Sequence, residues 1–148
     1  MSGNGAVILT NPDAPTALAN LPLITDATKI GLTWQTGSAN GGTPVIDYRL
    51  SWDQGTNTYQ VLAIGITTTS YTTIITLTSN TVFKFKVESR NAFGFSDYSN
   101  EVTILQAEKP LKPADPVTSV LTDVSVVITW TAPSNQGSPI TSYLILIR

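Results

Sequence analysis

The chain repeats itself over a distance the size of a domain. Trp34 returns as Trp130, ninety-six residues later, and Pro44-Val45-Ile46-Asp47-Tyr48 returns as Pro139-Ile140-Thr141-Ser142-Tyr143 at a shift of ninety-five. The one-residue difference fits a shorter loop after the second Trp. The start of the chain joins the same register, with Asn4-Gly5-Ala6-Val7-Ile8-Leu9 lining up with Asn100-Glu101-Val102-Thr103-Ile104-Leu105. Solenoid repeats run to roughly 20–50 residues, because each is one supersecondary unit that leans on its neighbours. A period near ninety-six is a whole domain with its own core. The 148 residues are therefore read as part of a tandem array.

The repeating unit is written in strands. Ile30, Leu32 and Trp34 alternate with Gly31 and Thr33, and Ile46, Tyr48, Leu50 and Trp52 alternate with Asp47, Arg49 and Ser51. In Val82-Phe83-Lys84-Phe85-Lys86-Val87-Glu88 the pattern places Phe83, Phe85 and Val87 inward and Lys84, Lys86 and Glu88 toward water. Side chains of a strand point to opposite faces in turn, so period-two alternation predicts half-buried strands. Turn-forming clusters separate the runs: Gly37 to Thr43, Asp53-Gln54-Gly55-Thr56-Asn57 and Asn91-Ala92-Phe93-Gly94. No ten-residue stretch carries a helical stripe. Charged residues make up only 12%, and polarity comes instead from 23 Thr and 13 Ser. Thr is β-branched and suits a pleated, half-exposed surface. The expectation is an all-β sandwich.

Composition also removes whole classes of function. With no Cys and no His, disulfides, thiolate or imidazole metal sites and every His- or Cys-dependent triad are excluded. The eight Lys and Arg are scattered and the net charge is −2, which is the opposite of the clustered cation surface that nucleic acid requires. No apolar run approaches the ~20 residues of a membrane span. Met1-Ser2-Gly3-Asn4-Gly5 is not a secretion signal, so a signal for export is expected outside this segment. Asp13, Asp26, Glu108, Asp115 and Asp123 form no dense oxygen-rich motif of the calcium-loop kind and read as solvated carboxylates. A carboxylate pair of the glycosidase type needs a cleft that a lone sandwich lacks. No catalysis, cofactor or small-molecule substrate is expected.

The order of the motifs carries a specific resemblance. Pro15, a run closing on Trp34, and then Gly41-Gly42-Thr43-Pro44-Val45-Ile46-Asp47-Tyr48 resemble the first half of a fibronectin type III domain. Leu77 through Phe83, Val87 and Asn91-Ala92-Phe93-Gly94-Phe95-Ser96 are similar to the second half, and Ser99-Asn100-Glu101-Val102-Thr103-Ile104 to the closing strand. More loosely, the wording resembles modules strung in long arrays in giant surface proteins of protists. The resemblance implies an immunoglobulin-like β-sandwich with one complete module flanked by partial ones. Residues 1–10 are assigned to a last or exchanged strand, 11–108 to the whole module, and 109–148 to the first three strands of the next. It further implies that Trp34, Tyr48, Leu77, Phe83, Phe85, Val87, Trp130 and Tyr143 are structural core. The family usually places a corner Tyr where this chain has Phe83, so one hydroxyl bond, worth ~1 kcal/mol net, is expected to be missing.

Candidate surfaces follow from what the core leaves over. Trp52 stands at a strand end and reads as core edge or as contact surface, and Phe93, Phe95 and Tyr98 give one loop an aromatic character that either covers the end of its own sandwich or the linker, or contacts a neighbour. Asn-x-Ser/Thr does not occur, which removes N-glycosylation. Thr67, Thr68, Thr69, Thr72 and Thr73 are candidate O-glycan acceptors. The stretch Ala107 to Pro116 holds Pro110, Pro113 and Pro116, which favours a short, semi-rigid junction and an elongated rod. Two readings of the chain ends stay open: a window of a longer array, or a subunit whose neighbours complete its sandwiches by strand exchange through Ala6, Val7, Ile8 and Leu9. Partners are then neighbouring modules or identical subunits, in an extracellular or cell-surface filament or adhesion scaffold. The alternatives are a module that binds protein or glycan through its loops, and an accessory domain of a secreted enzyme.

Overall fold

The computed structural model describes residues 8–78 and 80–147. Among these residues there are nine strands and no helix. β1 (Thr16–Asn20), β2 (Gly31–Gln35) and β5 (Ser70–Thr72) form one antiparallel sheet in the order β1-β2-β5. β3 (Asp47–Trp52), β4 (Gln60–Ile66), β6 (Thr81–Arg90) and β7 (Val102–Gln106) form the other, in the order β4-β3-β6-β7. The third sheet is a hairpin of β8 (Val117–Thr122) and β9 (Ser125–Thr129).

The core of the first two sheets is drawn from the alternating positions. Ile30, Leu32 and Trp34 come from β2 and the residue ahead of it, Tyr48 and Leu50 from β3, Phe83, Phe85 and Val87 from β6, and Ile104 from β7, all of them buried. Leu77 is half-buried against them. Trp34 meets Tyr48 edge-on, with ring centroids 5.5 Å apart at 69°. Such a contact adds about 0.5–1.5 kcal/mol beyond the area it buries. The Tyr48 hydroxyl lies 2.7 Å from Thr36 Oγ1. Phe83 fills its place without a hydroxyl by stacking on Trp52 at 5.6 Å and 25°.

Two expectations for the first two sheets are corrected. Ile46 is 55% exposed; it precedes β3, which begins only at Asp47, so the alternation of the strand does not govern it. Glu88 is buried rather than solvated, because it lies across from Arg49 in the β3–β6 register and is held there by a two-pronged ion pair.

The C-terminal segment departs further. Trp130 and Tyr143 are 37% and 42% exposed, not core. Of the three strands expected there, two form; the stretch from Thr141 to Ile147 belongs to no strand. In the first unit the corresponding strand β3 is held by β4 and β6. Among the described residues nothing pairs with the second copy, so no ladder stabilises it and no second sheet covers the rings. Even so, Trp130 and Tyr143 keep the edge-on arrangement, 5.4 Å apart at 62°.

Candidate functional site

The outer face of the four-stranded sheet is where charge and aromatic surface gather. β3 and β6 run antiparallel, so Asp47 stands opposite Arg90 and Arg49 opposite Glu88. Arg49 Nε and Nη2 donate to Glu88 Oε2 and Oε1 at 2.6 and 2.7 Å. Arg90 Nε donates to Asp47 Oδ1 at 2.8 Å, and its Nη2 donates to Oδ2. These bidentate bonds hold both guanidinium groups above their ordinary pKa, the partner's hydrogen bond being the main cause in each. Phe95 lies over both cations, 3.9 Å from Arg49 and 5.5 Å from Arg90. A bridge between Arg90 and Phe95 fixes the backbone there.

Toward the other end of the same face, Lys86 Nζ sits 4.3 Å from the Tyr59 ring and 5.9 Å from that of Tyr98. Glu101 lies 3.7 Å from Lys86 and 3.9 Å from Lys84, and it accepts the Tyr59 hydroxyl proton in a hydrogen bond. Burial first, and then that bond and the Glu101 charge, push the Tyr59 phenol well above the ordinary tyrosine range. Each of these four cations thus faces a carboxylate. The face is charge-compensated and cross-braced, suited to stiffness rather than to proton transfer.

The loops beneath and above the sandwich are stiffened from within. Asp53 is buried at the end of β3; its Oδ1 accepts from Gly55 N at 3.0 Å and Lys84 N at 2.9 Å, and its Oδ2 from Asn57 N at 3.3 Å. Asn91 Nδ2 donates to the carbonyls of Thr10 and Asn40, each at 2.8 Å. Asp26 caps its turn by accepting from Thr28 N at 2.8 Å, and this bond, ahead of the others, lowers its pKa.

The candidates from the sequence fall into distinct places. Phe95 and Tyr98 belong to the cation–aromatic face, while Phe93 stands apart on its loop, 62% exposed. Trp52 is half-buried and spends its ring on Phe83 and Phe85, so it is core edge rather than contact surface. Thr67, Thr68 and Thr69 are exposed and Thr72 is half-buried. Thr73 is buried and its Oγ1 accepts from Ile30 N at 2.8 Å, which removes it as a glycan acceptor. Ile8 and Leu9 are exposed and lie in no strand; Ala6 and Val7 lie outside the described residues. Arg49, Asp53, Tyr59, Glu88 and Asn91 were missed, since each acts through a partner distant in sequence. Among the described residues no group of three or more His, Cys, Asp or Glu is placed to hold a metal. No helix there is long and apolar enough to cross a membrane.

Two antiparallel sheets of three and four strands, closed over a Trp on the second strand, define an immunoglobulin-like β-sandwich. The family profile described as "Fibronectin type III domain" matches residues 13–105, and the chain belongs to that family. It is 32% identical over 132 residues to fibronectin type-III domain-containing protein 3A of Mus musculus, covering 86% of this chain and 10% of that protein. It is 26% identical over 140 residues to titin of Drosophila melanogaster, covering 90% of this chain and 1% of titin. The chain thus spans a tenth or less of these relatives. Among solved structures, the sixth fibronectin type III domain of a human fibronectin type III domain containing protein 3 superposes with a TM-score of 0.58 at 23% identity, covering 72% of this chain and 95% of the domain. Domains A168–A170 of titin give 0.58 at 22%, covering 65% and 32%. The fold is shared with both. Modules of this family sit in tandem with neighbouring domains in titin-like proteins and are generally non-catalytic, and the similarity of this chain to them is consistent with a structural module.

Proposed function

We propose that the chain is a spacer segment of a tandem fibronectin type III array, giving an elongated filament or adhesion scaffold outside the cell or on its surface. The repeated Trp–Tyr pair carries this reading: 5.5 Å and 69° in the complete sandwich, 5.4 Å and 62° in the segment after the linker. The braced outer face supports a mechanical role, since its cations and carboxylates hold one another across β3, β6 and the residue ahead of β7. Its partners are neighbouring modules, or identical subunits placed head to tail. The exposed Thr67, Thr68 and Thr69 are suited to O-glycans on a surface protein.

Stretching single molecules of the full-length protein tests the role. A module matched over residues 13–105 releases roughly 300 Å of chain when it unfolds, at ~3.3–3.6 Å per residue. Regular force peaks at that spacing are expected, and a smooth extension curve overturns the reading. For location, a protease added to intact cells should cleave the protein; full protection refutes a surface position. Size measurement of the purified chain addresses the subunit version, which a stable monomer with no exchanged strand removes.

A further inference from the structure

Asn-Gly occurs twice in the sequence, at Asn4-Gly5 and Asn40-Gly41, and of the two Asn40-Gly41 lies among the described residues, on the loop after Trp34. Asn is a thermolabile residue, because the backbone nitrogen of the next residue can attack its side-chain carbon. A side chain on that next residue obstructs the approach, and Gly has none.

The turn meets two further conditions. Asn40 is exposed, and its Oδ1 accepts from Gly42 N at 3.0 Å. The ring closed by that bond includes the Gly41 nitrogen, so the carboxamide is curled back toward the atom that attacks it. Gly41 N itself donates to no acceptor among the described residues. The same turn recurs after Trp130 in an unreactive form. Gly137 N donates to Asn135 Oδ1 at 3.2 Å, but the residue between them is Gln136, which carries a side chain and whose N–H points at Ser134 Oγ, 3.4 Å away.

We infer that Asn40 is a modification site at which the module alters itself, with water as the co-reactant. Gly41 N bonds to Asn40 Cγ, and Nδ2 leaves as ammonia, taking up the Gly41 amide proton. The cyclic imide that remains is opened by water on either side. Cleavage at Cγ gives aspartate. Cleavage at the Asn40 carbonyl carbon gives isoaspartate, whose backbone runs through Cβ and Cγ and is longer by one carbon. No oxidant or reductant takes part.

The added carbon falls where the loop holds the segment ahead of β1. Asp13 N donates to Ala39 O and Thr10 N to Gly41 O, each at 2.9 Å, while Asn91 Nδ2 donates to Asn40 O at 2.8 Å. The two acceptors of the leading segment stand on either side of residue 40, so a longer chain between them cannot keep both in register. Isoaspartate at 40 therefore unfastens Thr10 from the module, a slow one-way loosening timed by hydrolysis. It goes beyond the spacer reading and does not depend on it.

The test ages the full chain in mildly alkaline buffer beside a sample held unfolded in urea. Peptide mapping by mass spectrometry follows each Asn, separating Asn40 from Asn4, and labelling by an isoaspartyl methyltransferase marks the longer product. In the folded chain Asn40 should convert to aspartate and isoaspartate while Asn135 keeps its amide. Ser134→Ala combined with Gln136→Gly, a residue suited to φ of 50°, should make Asn135 react; an inert Asn135 there refutes the part given to Gly41. Thr10 N should exchange its hydrogen about fivefold faster in the isoaspartyl fraction, the loss of one hydrogen bond. Asn40→Ser, whose hydroxyl accepts from Gly42 N but has no amide to lose, should age without change at Thr10. If Asn40 keeps its amide in the folded chain and loses it in urea, the native turn protects it and the site is refuted. If isoaspartate forms at 40 and Thr10 N exchanges as in the fresh chain, the unfastening is refuted.

Discussion

Replacing Gly41 by Ala should strip the complete module of a large part of its stability, and the structure says how the loss divides. Gly41 has φ of 70°, the left-handed region, which costs an L-residue roughly 1–2 kcal/mol. A Cβ there would lie 2.2 Å from Thr10 O and 2.6 Å from Asn11 O, so the incoming segment must swing away. That movement breaks the Thr10 N–Gly41 O bond and pulls Thr10 O off Asn91 Nδ2, each bond being worth about 1 kcal/mol net. The expected loss is about 3 kcal/mol, against a total of ~5–15 for a domain. Urea unfolding followed by Trp fluorescence measures it. At an m-value of ~1.5 kcal/mol/M the midpoint falls by about 2 M with the slope unchanged. Gly41→Asn separates the two causes, because Asn tolerates the left-handed region but brings the same Cβ. It should recover the backbone part alone and remain about 2 kcal/mol below the native chain. A loss below ~1 kcal/mol in Gly41→Ala would show that the segment from Thr10 to Asp13 yields freely, and its bonds to Gly41 O and Ala39 O would then hold nothing in place.

Other residues give independent checks. Asp53→Ala leaves the amides of Gly55, Asn57 and Lys84 without their acceptor and should cost about 3 kcal/mol in the same urea assay, with Asp53→Asn losing about half of that. Thr73→Val, nearly the same shape, removes the buried acceptor of Ile30 N and should cost about 1–2 kcal/mol; intact mass should show Thr73 unmodified in the native protein. Tyr59 has its folded pKa raised, so its neutral form is the one the fold favours. That contribution is complete below the unfolded value of ~10 and is lost as pH climbs through the higher folded one. Thermal melts from neutral pH upward should therefore decline more steeply past about pH 10 in the native chain than in Tyr59→Phe, and parallel curves would refute the assignment.

The strand pattern was open to reading because period-two alternation is a property of neighbours in sequence. β6 displays Phe83, Phe85 and Val87 on one face whatever lies opposite, and the core follows. Glu88 was misplaced for the converse reason: a carboxylate on the outer face is solvated unless a cation stands across from it, and Arg49 is thirty-nine residues away. Thr73 was hidden likewise, its partner arriving from 43 residues off, and so was the part of Asp53 that binds Lys84 N from 31 residues away, its other two partners being local. Trp130 and Tyr143 divide the two kinds of information within a single pair. Their edge-on geometry reproduces that of Trp34 and Tyr48, yet their burial does not. The mutual placement of the rings is therefore set close to home, by the turn between them and the chain that flanks it. Cover is supplied by a second sheet, and the second unit has none among its described residues. A ring pair that holds its shape before it is covered gives an opposing sheet a fixed surface to close on, and the repeated Trp-and-Tyr spacing encodes that surface in each unit.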